Sequence, residues 1–261
     1  MSTKTYTLIT GASGGIGQDL AMLAAADGKN LVLVARSAEK LNELAELIRK
    51  NNKSEVIPIS VDLSDEAGVK RLISEISAKD IQIDMLINNA GFGNFGDFAK
   101  ADLAKNMDMI RLNISALTQL THFALQGMLK NGRSRIMNVA STAAFMPGPG
   151  MAVYYASKAY VLSFSEALTR ELKGSGITVT TLCPGPTDTG FASTAGLGKS
   201  LMHRMIPPAT SIQVAKAGYK AMMKGKAIEI PGFVNKLSAM TPRFSPRSMV
   251  RNMIYGIHKS H

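Results

Sequence analysis

Seven short apolar and β-branched runs recur along this 261-residue chain, separated by stretches of helical periodicity. Thr5–Thr10, Asn30–Ala35, Glu55–Ser60, Ile83–Asn88, Ser134–Ala140, Ile177–Cys183 and Ala227–Pro231 are the predicted strands, and most lack strict polar/apolar alternation. Strands that are apolar on both faces belong in a buried parallel sheet. The predicted helices are Gly15–Ala26, Ala38–Lys50, Glu66–Ala78, Leu112–Leu129, Val153–Leu172 and Ser211–Met223. Ser37 and Asp65 stand where N-caps are wanted, and Gly28 and Gly174 where helices should stop. This order predicts an α/β, doubly wound fold: a seven-stranded parallel sheet with helices on both faces and a ligand at the carboxyl ends of the strands. No internal repeat or Ser/Gly linker interrupts it. Residues 1–231 therefore read as a single domain, and 232–261 as a helical extension packed on that domain.

The first strand runs into Thr10-Gly11-Ala12-Ser13-Gly14-Gly15-Ile16-Gly17 and then a helix. Glycines at such a turn let backbone amides approach a pyrophosphate held at the positive end of the helix. Gly11, Ser13, Gly15, Ile16 and Gly17 are the candidate phosphate-side residues. At the end of the second strand, Ala35-Arg36 replaces the acidic residue that binds ribose hydroxyls in NAD enzymes, and Arg36 offers a guanidinium to a 2′-phosphate. NADP(H) is expected over NAD(H), with Ser13 and Lys40 as assistants.

Tyr154-Tyr155-Ala156-Ser157-Lys158 begins a predicted helix, so Tyr154 and Lys158 address one site. Hydride transfer to a carbonyl requires a proton donor, and a phenol is suited to that role when its pKa falls from about 10 toward 7. A lysine ammonium and an oxidised nicotinamide at ~4–5 Å can supply the ~4 kcal/mol required. The spacing alone is weak support. Its weight comes from Asn88-Asn89-Ala90-Gly91 at the end of the fourth strand, Asn113 beyond it, and Ser141 at the end of the fifth.

On these residues the chain resembles the short-chain dehydrogenase/reductase family. The matching pattern is Thr10-Gly11-x-x-x-Gly15-x-Gly17, Asp62, Asn88-Asn89-Ala90-Gly91, Asn113, Ser141, Tyr154-x-x-x-Lys158 and Pro184-Gly185. The resemblance implies a Rossmann-type NADP-binding catalytic domain. It makes Tyr154 the acid/base, assisted by Lys158, with Ser141 on the substrate oxygen and Asn113 supporting a water relay. Asp62 and Leu63 would hold the adenine, and Asn89, Ala90 and Gly91 would line the cofactor. Thr189, after Pro184, Gly185 and Thr187, would meet the carboxamide. Tyr155 is the rival to Tyr154, and a catalytically idle nucleotide-binding regulator is the alternative reading of the whole chain.

Phe92, Phe95, Phe145, Met146, Met151 and the largely apolar segment 191–208 flank this centre, so a small hydrophobic ketone, aldehyde or secondary alcohol is the expected substrate. The loop 192–198 reads as a mobile lid, and His122 as a packing residue. The single cysteine, Cys183, reads as a buried small hydrophobe and excludes an intramolecular disulfide. A reducing, cytoplasmic location is expected, with no secretory leader and no metal site.

The net charge of +11 is unevenly placed. Residues 1–198 hold 19 basic and 18 acidic side chains, whereas 199–261 hold 11 basic and one acidic, Glu229. Nucleic acid is not an expected partner, because no binding motif or interleaved aromatics accompany the charge. The extension is read as a cover or interface, with peripheral membrane contact as a further reading. A homodimer is expected through helices around 100–130 and 153–173, with a tetramer as the alternative.

Overall fold

The computed structural model describes residues 4–196 and 208–259. Strands β1 (Thr5–Thr10), β2 (Asn30–Ala35), β3 (Val56–Ser60), β4 (Gln82–Asn88), β5 (Ser134–Val139) and β6 (Ile177–Leu182) alternate with helices. These are α1 (Gly15–Ala26), α2 (Ala38–Asn51), α3 (Glu66–Ala78), α4 (Leu103–Ile110), α5 (Leu117–Asn131) and α6 (Ala152–Glu171). Beyond β6 come β7 (Thr187–Asp188), the single turn α7 (Phe191–Thr194), β8 (Ala209–Thr210), α8 (Ser211–Met223) and β9 (Ile228–Glu229). The extension forms α9 (Phe233–Met240) and α10 (Arg247–Lys259).

The main sheet has the order β3-β2-β1-β4-β5-β6-β9, and every pair in it is parallel. Because strands are pleated, neighbouring residues enter opposite layers. Ile9 and Leu33 pack with Leu20, Leu41 and Met222 in one layer, while Leu8 and Val32 pack with Leu72, Leu86 and Leu120 in the other. Both faces are thus dry, as runs without alternation require. The order reverses between β1 and β4, which opens a crevice at their carboxyl ends.

Local chemistry sets the boundaries. Ser37 and Asp65 accept hydrogen bonds from Lys40 N and Ala67 N, and Thr210 with Gln213 forms a capping box on α8. Gly28 and Gly174 adopt positive φ just beyond α1 and α6.

Two expectations change. The helix expected from Leu112 is preceded by α4, capped by Asp102, and joined to α5 by a π-helical turn over Arg111–Ala116. His122 is exposed on α5 rather than packed.

Candidate active site

The β1–α1 turn is shaped for an anion. α1 starts with no side-chain cap and no acidic residue in its first turn, so its N–H groups stay available to a phosphate. Gly11 and Gly15 have φ of +66° and +54°. A Cβ on Gly17 would come within 2.2 Å of Gly11 O, so α1 passes closely under the loop only because that position is glycine. Asn89 ties β4 to this turn, its Nδ2 donating to Thr10 O and Gly11 O at 3.0 and 3.1 Å. Thr10 Oγ1 in turn accepts from Asn89 N and Ala90 N. Ser13 and Ile16 are half-buried, with Ile16 packed on the α1 layer and Leu63 buried in the other. These features fit a dinucleotide pyrophosphate.

Arg36, with its side chain 75% exposed, lies 3.9 Å from Asp62 Oδ2 across the ends of β2 and β3. The other carboxylate oxygen, Oδ1, accepts from Ser64 N and Ser64 Oγ, which fixes the turn after β3. Thr189 sits against the glycine loop: a Cβ on Gly15 would lie 3.0 Å from its methyl group. Thr187 Oγ1 donates to Gly185 O, and Pro184 O accepts from Ser141 Oγ.

The proposed reaction residues converge at the neighbouring end of β5. Ser141 stands two residues beyond β5 rather than in it, where it caps a short 3₁₀ turn over Thr142–Phe145 by accepting from Ala143 N. Tyr154 and Lys158 lie one turn apart on α6, both buried, with Nζ 5.9 Å from the Tyr154 ring centre. Nζ donates to Val139 O at 2.8 Å. Asn113 comes from the π-helical turn, a device that re-aims side chains within a helix. Its Nδ2 donates to Phe92 O and Ser157 Oγ, and its Oδ1 accepts from Phe92 N. Gly91 leaves room for both neighbours, since a Cβ there would lie 3.0 Å from Asn113 Oδ1 and 3.3 Å from Lys158 Nζ.

In the protein alone, the electrostatics run against the expected depression of the tyrosine. Burial pushes Tyr154 up to about 12, while the Ser141 hydroxyl pulls it down in part. Burial also lowers Lys158 to about 8. Tyr155 is raised further by burial, with the neighbouring Tyr154 adding to the effect. Desolvation therefore dominates at both groups, while the ammonium faces the aromatic ring and bonds to Val139 O.

The side of Tyr154 where substrate is expected is closed by side chains from distant parts of the chain. Phe191 of α7 tilts on Tyr154 with ring centres 5.2 Å apart, and Ala195 is buried, its carbonyl accepting from Phe95 N at 2.9 Å. The front of the expected mobile lid is thus a seated helical turn, while Leu197 to Pro207 lie outside the described residues. From α10, Val250 and Ile254 pack into the same cluster. His258 stacks edge-on with Tyr155 and Phe95 and bonds through Nδ1 to Pro149 O at 2.5 Å. Sequence reasoning missed His258; the apolar spacing of Val250, Ile254 and Ile257 was the signal for that face of α10.

Residues 5–199, about three-quarters of the chain, match the short chain dehydrogenase family. The chain belongs to this family. Among its relatives, this short-chain dehydrogenase is similar to sulfoacetaldehyde reductase 2 of Chromohalobacter salexigens, 37% identical over 186 residues, or 70% of this chain and 73% of the relative. A short-chain dehydrogenase from Sphingobium yanoikuyae, solved in complex with NADPH, superposes with a TM-score of 0.80 at 30% identity, covering 92% of this chain and 93% of that one. The bulky-bulky ketone specific alcohol dehydrogenase from Comamonas testosteroni gives 0.78 at 27% identity over 93% and 94% of the two chains. The chain is accordingly an oxidoreductase with a nucleotide-binding doubly wound fold, of the type that interconverts CH–OH and C=O groups. Among the described residues, no helix is long and apolar enough to cross a membrane.

Proposed function

We propose that this short-chain dehydrogenase uses NADPH to reduce a small hydrophobic ketone or aldehyde, or runs the reverse oxidation of the secondary alcohol, with Tyr154 as the acid/base. The observation that carries the reading is the placement of Tyr154 beside Ser141 inside an apolar cluster that includes Met109, Met151, Tyr155, Val250 and Ile254. Such a wall accepts apolar substituents and excludes water from the reacting carbonyl. The NADPH complex of the Sphingobium relative supports the choice of cofactor, and the ketone specificity of the Comamonas enzyme supports a carbonyl with apolar substituents.

When bound, the nicotinamide supplies the hydride. The Ser141 hydroxyl donates to the substrate oxygen and orients it. Tyr154 donates the proton that the new alcohol requires, and its raised pKa keeps it protonated at neutral pH, which favours the reductive direction. Lys158, still mostly ammonium below its pKa of about 8, stabilises the phenolate left behind. Asn113 holds the Phe92 backbone against Ser157 and so fixes the wall beside Lys158. Arg36 binds the 2′-phosphate, and Gly11 to Gly17 hold the pyrophosphate.

Loss of NADPH absorbance against a panel of hydrophobic ketones and aldehydes tests the proposal. Turnover that Tyr154→Phe removes is expected; tight NADPH binding without turnover across the panel would favour the idle regulator. The exposed apolar residues Leu103, Met107, Leu129 and Tyr160 on α4, α5 and α6 support a homodimer through these helices. Light scattering after gel filtration should give twice the chain mass.

A further inference from the structure

Among the described residues, eight of the fifteen exposed large apolar side chains lie between Phe233 and Tyr255. Phe233 and Phe244 are each 81% exposed, more than any other large apolar residue described. On α9, Phe233, Leu237 and Met240 follow one another at i, i+4, i+7 and face solvent, while Ala239 is buried and Asn235 abuts Gly185. On α10, Met249 and Met253 stay exposed, whereas Val250, Ile254 and His258 are buried.

The same segment is basic without relief. Residues 230–259 contain Lys236, Arg243, Arg247, Arg251 and Lys259 and no acidic residue. None of Lys236, Arg243, Arg247 and Arg251 forms an ion pair among the described residues. Elsewhere nine cations of the described residues do meet a carboxylate, as Lys70 meets Glu66 and Arg111 meets Asp108. A concentration of exposed apolar groups on a segment whose described cations form no ion pair marks an interaction surface.

Charge decides the occupant. A second copy docked here about a two-fold axis would set the same cations against themselves with no carboxylate in either segment to answer them. The apolar groups are also spread over two helices and the turn between them, an arrangement that suits a fluid surface. We infer that the α9–α10 face docks on an anionic lipid bilayer. Phe233, Leu237, Phe244 and Met249 enter the boundary between headgroups and acyl chains, and Arg243, Arg247 and Arg251 pair with lipid phosphates. The buried side of α10 packs with Tyr155, so the docked face and the reaction cluster share one helix. Docking is independent of the proposed catalysis and is read without it.

The test is flotation of the full chain with vesicles of phosphatidylcholine alone and of phosphatidylcholine with about a third phosphatidylglycerol, in about 50 and 500 mM NaCl. Flotation with the anionic vesicles at low salt, lost at high salt and absent with phosphatidylcholine, is expected. The pairs Phe233→Ser with Phe244→Ser, and Arg243→Glu with Arg251→Glu, should each lower the bound fraction by about tenfold or more at unchanged thermal stability. Failure to float at low salt, equal flotation with both vesicle types, or wild-type binding by both double variants would overturn the inference. So would self-association that Phe233→Ser with Phe244→Ser abolishes in a chain that never floats.

Discussion

Tyr154 and Lys158 are both buried, and burial opposes the charged form of each. Removing the hydroxyl should matter far more at Tyr154 than at Tyr155, because only Tyr154 has Ser141 beside it. Tyr154→Phe is expected to lower kcat by about 10²–10⁴-fold, the range for a positioned acid, and Tyr155→Phe to change kcat much less. Steady-state kinetics on the best carbonyl of the panel compares the two. Lys158 makes a separate prediction about stability. Its folded pKa of about 8 lies below the ordinary lysine value of 10.5, so between those values the unfolded chain binds a proton that the folded chain has released. Stability must therefore rise with pH in that window, by about 1.4 kcal/mol per unit, and be flat below it. Urea unfolding of the cofactor-free protein at about pH 7.5 and 9.5 should show a gain of about 2 kcal/mol that Lys158→Met lacks. An equal pH response in both proteins would place the Lys158 pKa outside the window. At the cofactor's far end, Arg36 should add about 1.5–3 kcal/mol of charge-assisted bonding to a 2′-phosphate. Arg36→Ala should then weaken NADPH binding by roughly tenfold to a hundredfold and leave NADH binding nearly unchanged, as fluorescence titration would show.

At the scale of elements, periodicity carried most of the fold. α1 and α3 run over Gly15–Ala26 and Glu66–Ala78, as their patterns indicate, because caps and stop residues are local chemistry. What local chemistry does not encode is how neighbouring elements meet. α4 was missed although Asp102 is a plain N-cap signal, because α4, the π-helical turn and α5 run on without a breaker. The strand at the sheet edge shrank to Ile228–Glu229, since only Thr181 and Leu182 of β6 pair with it. Asn113 was identified by resemblance, whereas its contacts with Phe92 and Ser157 depend on the π turn that no spacing rule announces. The β1–α1 turn shows the same logic in a testable form. Gly17 does not need glycine for its φ; it needs the absence of a Cβ that would strike Gly11 O. That neighbour is backbone and cannot rotate away. Gly17→Ala should cost several kcal/mol, at the upper end of single substitutions, and weaken NADPH binding, whereas Gly14→Ala, with open space around it, should fold normally. Thermal melts with and without NADPH would separate the two.

Across the whole molecule, the chain closes its reaction cluster with residues from α10, far along the sequence from α6. His258 meets Pro149 across 109 positions of sequence, and no local pattern can announce such a contact. Val250, Ile254 and His258 are nearly fully buried, although the helix that carries them has a largely exposed remainder. α10 is therefore held mainly by this one apolar face, and it should be less stable than the sheet against which the rest of the chain is built. Ile254→Ala removes buried methylenes from the contact and is expected to cost about 2–4 kcal/mol locally. If α10 opens as a unit, that loss appears as faster amide hydrogen exchange in 247–258 and not in β1 or β4, and the global unfolding midpoint moves little. The kinetic consequence has a definite sign. A wall that frays raises KM for a bulky carbonyl, while Tyr154, held by α6 and by Ser141, keeps its geometry, so kcat on a small carbonyl should stay within about twofold. A fall in the global midpoint together with a collapse of kcat on every substrate would mean instead that α10 is continuous with the core.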